Sequence, residues 1–271
     1  MSSFFAFLLS GMALFDAHYQ QPPELARWQL SADPFACELQ QTMPGLGQIS
    51  FVAKPAEPLK LLLIIEQPNL VVTEASVTVI DAAWQAAEFR RLGTPLGASV
   101  IINNTIEFLE HPLLLLQQLH LGYWLQFNLQ TGQSTMLLTL SSIEGRQSVN
   151  AFRQCVARMA PMLWLQARDT QLEMAKGQRV LSPTQRQQIK DLVHYLQFDP
   201  AVKRVLIDGH ADDTGEPLAD RLLSRERADD LAAYFLELGV SASKLEVRAH
   251  GNRYPVAANQ PNRRIVIRLV R

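Results

Sequence analysis

The sequence predicts two domains: an N-terminal one that is mostly β, a barrel-like antiparallel sheet with a helix, and a C-terminal α+β one of order β-α-β-α-β-β. Three observations carry this. Short apolar stretches of strand character, separated by turn residues, fill the chain to about residue 145, whereas beyond residue 172 strand and helix patterns alternate. A length of 271 residues suits two domains of ordinary size. The charge also divides, with 9 basic and 13 acidic residues up to position 170 and 16 basic and 13 acidic after it, so the parts carry −4 and +3.

Composition bounds the function. With 48% hydrophobic and 19% charged residues the chain folds into packed cores rather than staying disordered. A formal net charge of −1 argues against a polyanion partner, and +3 on the second part is too small to imply nucleic acid.

The apolar run from Phe4 to Phe15, broken only by Ser10 and Gly11, has the length of a signal-peptide core and is too short to span a bilayer comfortably, so residues 1–17 read as a signal peptide. No Lys or Arg precedes it, and cleavage would follow Ala13 or Ala17. The N-terminal domain is expected over 18–165. Its strands are signalled by Ile49 and Phe51, Leu59 to Ile65, Val77 and Val79, Val100 to Ile102, Leu121 to Leu129, and Met136 to Leu140. Pro44-Gly45, Pro68-Asn69, Gly93-Thr94-Pro95, Asn103-Asn104 and Thr131-Gly132 supply the turns. Leu113 to Leu116 with Leu119 make one turn of apolar density. Ser148 is placed to cap a helix whose stripe is Phe152, Cys155, Val156 and Met159.

Two cysteines, Cys37 and Cys155, and no CxxC fit either one disulfide of an exported chain or two separate buried thiols. Cys155 faces protein on its stripe, which suits a bond to the first strand.

The second domain is expected over 172–271, opening with a strand near Leu172 to Ala175. Ser182-Pro183-Thr184-Gln185 has the form of a capping box with Pro at the first helical position, followed by the apolar face Ile189, Leu192, Val193 and Leu196. A buried strand at Val205 to Ile207 then runs into a polar turn, Gly209 to Gly215, and a helix with the stripe Ala228, Leu231, Ala232 and Phe235 that Gly239 ends. Leu245 to Ala249 and the alternating Ile265, Ile267 and Leu269 make the last two strands.

The turn after Val205 to Ile207 holds the chemistry. A short strand-to-helix connection folds the helix back on the strand, so Asp212 and Arg227 can face one small pocket. An anion and a cation held together suit a zwitterion, because a carboxylate takes a guanidinium and an ammonium takes the Asp. A metal site built from Asp208, His210, Asp212 and Asp213 lacks a second His-containing motif to complete its shell. Glycosidase-like cleavage by the same carboxylates would need a long substrate cleft rather than a turn beside a helix.

The residues GHADDTG from Gly209, LSRERA from Leu223, and Asn262-Arg263-Arg264 resemble the Gly-x-Thr-Asp-x-x-Gly, Leu-Ser-x-x-Arg-Ala and Asn-Arg-Arg signatures of the OmpA-like peptidoglycan-binding domain family, in that order over roughly the last hundred residues. The resemblance implies non-covalent binding of the diaminopimelate stem peptide, Arg227 on its carboxylate and Asp212 on its ammonium, with no cofactor and no catalysis. The peptidoglycan-binding set it implies is Asp212, Arg227, Gly209, Thr214, Asp220 and Arg264. Three departures stand out: Ala211 where the family usually has Thr, Asp220, with an added negative charge, where it usually has Asn, and a shortened Gly-Arg segment before Asn262.

Trp28, Cys37, Leu39, Met43-Pro44-Gly45-Leu46-Gly47 and Phe51, ahead of such a domain, are similar to the MotY family of periplasmic sodium-driven flagellar motor components. That family pairs an early and a late Cys, as Cys37 and Cys155 would be. It implies periplasmic localisation, assembly in a ring, and an N-terminal domain contacting basal-body and stator proteins. The alternative is a cell-envelope tether or scaffold not tied to the flagellum.

Overall fold

The structure, a computed structural model, describes residues 17–22, 24–83, 93, 95, 96, 99–132, 134–257 and 261–271. The signal-peptide reading therefore lies outside the described residues except for Ala17, which opens the first strand. The chain divides into two compact units after Arg158.

The first unit contains β1 (Ala17–Gln20), β2 (Gln29–Asp33), β3 (Ala36–Met43), β4 (Gly47–Ala53), β5 (Lys60–Ile65), β6 (Glu74–Ile80), β7 (Ser99–Ile102) and β8 (Thr105–Phe108), then α1 (Pro112–Leu121), β9 (Trp124–Thr131), β10 (Ser134–Leu140) and α2 (Gly145–Ala157). It is mostly β, as expected, but the barrel is not closed: the described strands form two open sheets, β2-β3-β4-β5-β8-β7 and β1-β10-β9-β6. The alternation in each sheet explains why. Inward residues Leu39, Phe51, Leu61, Leu63 and Phe108 of one sheet and Val77, Leu125, Phe127 and Leu129 of the other are fully buried. Phe108 and Phe127 meet edge-on with centroids 5.0 Å apart, so the two sheets join here through side chains. The pairing of β1 with β10 is parallel, a second departure from the all-antiparallel expectation.

The turn residues do what their chemistry requires. Gly45, Asn103 and Gly132 sit in the left-handed region (φ 78°, 55° and 66°) between β3 and β4, β7 and β8, and β9 and β10. Two helix readings needed correction. The apolar density at Leu113 to Leu116 belongs to a ten-residue helix, α1, that buries Leu115, Leu116 and Leu119. Ser148 does not cap α2: the helix begins at Gly145 behind a left-handed Glu144, and it ends at Ala157, leaving Met159 outside. Gly145 permits this start, because a Cβ there would lie 2.9 Å from the Leu119 carbonyl oxygen. Cys37 on β3 and Cys155 on α2 form a disulfide, with Cα atoms 6.0 Å apart.

The second unit contains α3 (Trp164–Ala167), β11 (Asp169–Glu173), α4 (Pro183–Phe198), β12 (Arg204–His210), α5 (Pro217–Glu237), β13 (Leu245–Gly251) and β14 (Arg264–Val270). The sheet order is β11-β14-β12-β13, so the last strand lies between β11 and β12 and antiparallel to both, while β12 and β13 run parallel. From β11 onward this is the expected β-α-β-α-β-β order. The first strand lies a few residues earlier than its apolar signal, because Asp169 to Gln171 pair at the sheet edge, where exposed polar residues are tolerated.

Helix α4 starts on the predicted capping box, with Ser182 Oγ accepting from the Gln185 N–H at 3.2 Å and Gln185 Oε1 accepting from the Ser182 N–H at 2.8 Å. Helix α5 ends in a Schellman motif: Gly239 (φ 90°) donates to Leu236 and Val240 donates to Phe235. Ile189, Leu192, Ala228, Leu231 and Phe235 from the helices are buried, as are Val205, Ile207, Ile265 and Ile267 from the strands.

Candidate functional site

Strand β12 runs to His210, three residues beyond its apolar triplet, because Asp208, Gly209 and His210 still pair with Val266, Ile265 and Arg264 of β14. Gly209 is required by close approach, not by a turn. A Cβ there would lie 2.2 Å from the Ser224 carbonyl oxygen and 3.1 Å from the Ala228 Cβ, so α5 can press on β12 only where a side chain is missing. This contact carries the LSRERA segment to the strand end. Ser224, fully buried, donates to the Arg221 carbonyl and accepts from the Gly251 N–H at 3.0 Å, fastening α5 to the end of β13.

Arg227, one turn further along α5, is 4% exposed. Its Nη2 donates to the Gln178 carbonyl at 3.4 Å, while Nε and Nη1 are buried with no hydrogen-bond partner among the described residues. Burial pulls its pKa down, opposed by the negative charge of Asp212 and reinforced by the positive charge of Arg263. A guanidinium holding unused donors out of water costs free energy, which an anionic ligand would recover. Arg227 lines a hollow of about 270 Å³ with Met174, Leu181, Tyr234 and Ile265 among its walls.

Asp212 follows the end of β12, half-buried. Its Oδ1 accepts from the Asn262 N–H at 2.8 Å, and its Oδ2 pairs with the Arg263 guanidinium. Burial raises its pKa, but the bonds from Arg263 and Asn262 and the charges of Arg263 and Arg227 outweigh this and hold it below the usual carboxylate value. Each oxygen keeps a lone pair, so the carboxylate can still accept from an ammonium. Arg227 and Asp212 thus feel each other's charge without a direct bond, and Asp212 is not among the walls of the hollow that Arg227 lines.

The remaining predicted residues act around this pair. Asp220, 1% exposed in the first turn of α5, accepts from both the Thr214 N–H at 3.2 Å and the Thr214 hydroxyl at 2.6 Å. The carboxylate that replaces the usual Asn therefore ties down the GHADDTG turn. Arg264 bonds Asn262 Oδ1 and donates to the Tyr254 carbonyl at 2.9 Å, while Asn262 donates from Nδ2 to the Ala211 carbonyl at 3.0 Å. Arg264 thus braces Asn262, which in turn braces Asp212.

Sequence reasoning passed over two participants. Arg263, not Arg264, pairs with Asp212; its place in the Asn-Arg-Arg run was visible but its direction was not. The Gln178 carbonyl, reached by Arg227, sits on a segment that carried no motif and is pinned by the Gln178 side chain to Gln185 at 2.7 Å and to the Ala175 N–H at 2.8 Å.

The second unit, with its four-stranded sheet in the order β11-β14-β12-β13, is of the OmpA-like class, because residues 175–267 match the OmpA family. The strand-rich first unit then specifies the group: residues 19–161 match the MotY N-terminal domain, and the chain belongs to that family. It is 23% identical to the sodium-type flagellar protein MotY of Vibrio parahaemolyticus, over 96% of this chain and 92% of that one. Its C-terminal part is 37% identical, over 79 residues, to the peptidoglycan-associated lipoprotein of Haemophilus influenzae, covering 27% of this chain and 51% of that one. Among solved structures, the peptidoglycan-associated lipoprotein of Burkholderia pseudomallei is similar at 21% identity and a TM-score of 0.34, covering 38% of this chain and 90% of that one.

Proposed function

We propose that this protein is a periplasmic component of the flagellar motor that grips the cell wall non-covalently through its second unit, while its first unit engages basal-body and stator proteins. Wall binding is carried by diaminopimelate of the stem peptide, with its carboxylate on Arg227 and its ammonium on Asp212. The observation that carries the reading is the buried Arg227 guanidinium with Nε and Nη1 unpartnered, set within the field of Asp212. Membership of the MotY N-terminal domain family and the likeness over nearly the whole chain to a flagellar protein support the motor role. The OmpA family match supports the wall as ligand.

The protein binds rather than cleaves. One clasp of this size holds weakly, and many copies arranged in a ring multiply effective concentration into firm attachment. Sedimentation with purified sacculi tests the site. Arg227→Ala is expected to abolish co-sedimentation without release of soluble muropeptides by either form; unchanged co-sedimentation rejects the assignment. Full swimming of a deletion strain would reject the motor role and leave a general envelope tether.

A further inference from the structure

Beneath the Asp212 turn two imidazoles lie stacked. The rings of His210 on β12 and His250 on β13 are nearly parallel, 23° apart in tilt, with centroids separated by 4.9 Å. The Tyr254 ring stands edge-on to His250 at 5.5 Å. His250 Nε2 bonds Asp208 Oδ1 at 2.8 Å, and His210, 5% exposed, reaches the Arg253 carbonyl from Nδ1 at 3.2 Å. A carbonyl only accepts, so Nδ1 of His210 carries the proton and the neutral ring has its free lone pair on Nε2. None of these groups contacts Arg227 in the bonds described above, so the wall clasp does not account for them.

The cluster is linked to the clasp. The Arg253 carbonyl that accepts the hydrogen bond from His210 Nδ1 also accepts from Asn262 Nδ2 at 3.4 Å, and the Asn262 N–H holds Asp212 at 2.8 Å. We infer that His210 is a positioning residue for Asp212 and that adding a proton to its ring loosens the clasp, so that wall attachment weakens in acid. This rests on the wall-binding reading given above.

The charges around His210 set the direction. Its own strand supplies Asp208, β13 supplies His250, the following turn Arg253 and Tyr254, and β14 supplies Arg264, which is its register partner. From α5, Arg221 lies against Gly251, and Ser224 and Ala228 press on Gly209. Asp208 is the anion nearest the pair and is already bonded to His250. Protonated His210 would therefore face His250 and Arg264 with no anion of its own. Burial, followed by the charges of Arg264 and His250, holds its pKa below histidine's usual 6.5 against the pull of the Arg253 carbonyl and Asp208. The charged ring is disfavoured in the folded arrangement, so the stabilisation is complete above the unfolded value and is lost as pH falls through the folded one. A stem-peptide carboxylate and ammonium keep their charges over this range, so a change in binding reports on the protein.

The test is co-sedimentation of the full chain with purified sacculi between about pH 8 and about pH 5.5, a span that brackets an imidazole. Wild type is expected to lose about tenfold in affinity across it, and His210→Asn, which keeps a donor near Nδ1 but cannot ionise, less than about twofold, whatever its affinity at the upper end. A flat wild-type profile, or an undiminished one in His210→Asn, overturns the inference. Should His210→Asn fail to fold, His250→Gln decides: it retains a donor for Asp208 but removes a ring whose charge works against a proton on His210, so the midpoint should move to higher pH, and an unmoved midpoint overturns the inference. Arg227→Ala at the upper pH separates the two readings. Wild-type binding by that variant sinks the clasp itself, whereas lost binding beside a flat wild-type profile sinks only the pH coupling.

Discussion

The carboxylate of Asp212 is held by the guanidinium of Arg263, and Arg227 acts on it only through charge. Two arginines therefore divide the work at this strand end. Arg263 spends a donor on aiming Asp212, while Arg227 keeps Nε and Nη1 unspent inside the fold.

This division makes Arg263→Ala informative. Without Arg263, Asp212 keeps only its bond from the Asn262 N–H and the more distant charge of Arg227, so its second oxygen is no longer aimed or held for the ligand ammonium. Wall affinity is expected to fall by about tenfold or more, matching the loss of one charge-assisted bond of roughly 1.5–3 kcal/mol. The Asp212 pKa should rise toward the ordinary carboxylate value, measurable by NMR titration. Unchanged affinity with a raised pKa would show that the aim of Asp212 does not matter.

Asp220→Asn, which restores the family's usual residue, tests the turn. The carboxylate takes both the N–H and the hydroxyl of Thr214, and an amide offers only one accepting oxygen and no charge. The variant should fold but lose about 1–2 kcal/mol of stability at the turn, read as faster amide exchange at Thr214 and Gly215. Exchange rates equal to wild type would show that the amide serves equally well.

The second unit was more legible in the sequence than the first, and the reason is local chemistry. The capping box at Ser182 and Gln185, the stripe of α5 and Gly239 each act within one or two helical turns, where spacing alone states the outcome. The first unit depends on which strands pair over long separations. β1 pairs with β10 more than a hundred positions away, and its residues Ala17 to Gln20 carry no apolar alternation. β2 and β8 pair locally, with β3 and β7, and were missed for another reason: β2 is exposed along its whole length and β8 is only four residues long. At the site, the motifs named Asp212 and Arg227, but no spacing could say that Arg263 would turn toward Asp212 while Arg264 turned toward Asn262.

The disulfide between Cys37 and Cys155 should dominate the stability of the first unit. Closing a loop over a sequence separation of 118 restricts the unfolded chain, and for loops near a hundred residues that effect is about 4–5 kcal/mol. Reductant, or Cys37→Ala with Cys155→Ala, is expected to lower the melting temperature of the first unit and leave the second unit's transition in place. Calorimetry with and without reductant checks this, and an unmoved first transition would mean that packing of α2 on β3 suffices.

At the far end of the second unit, Tyr195 donates to Asp199 at 2.6 Å, and Asp199 also takes both Nε and Nη2 of Arg271, at 3.1 and 2.8 Å. Arg271 in turn lies over the Trp164 ring at 3.9 Å, so α4, α3 and the chain's last residue are joined. Burial, then the bond to Asp199, pushes the Tyr195 pKa from 10.0 up to about 12, against a smaller downward pull from Arg271. The folded tyrosine holds its proton longer than the unfolded one, so its contribution is complete below the unfolded value and is lost as pH rises through the folded one. Asp199 runs the other way: burial raises its pKa, but Tyr195 and Arg271 outweigh that and lower it, so its contribution disappears as pH falls through the folded value. Stability of the second unit should therefore decline between pH 10 and about 12, and Tyr195→Phe should remove that alkaline limb. The same variant leaves a buried carboxylate one donor short, so it should also be less stable at neutral pH, by about 1–3 kcal/mol. Denaturant melts across the alkaline range measure both effects, and a Tyr195→Phe protein with the wild-type alkaline slope would place that titration elsewhere in the unit.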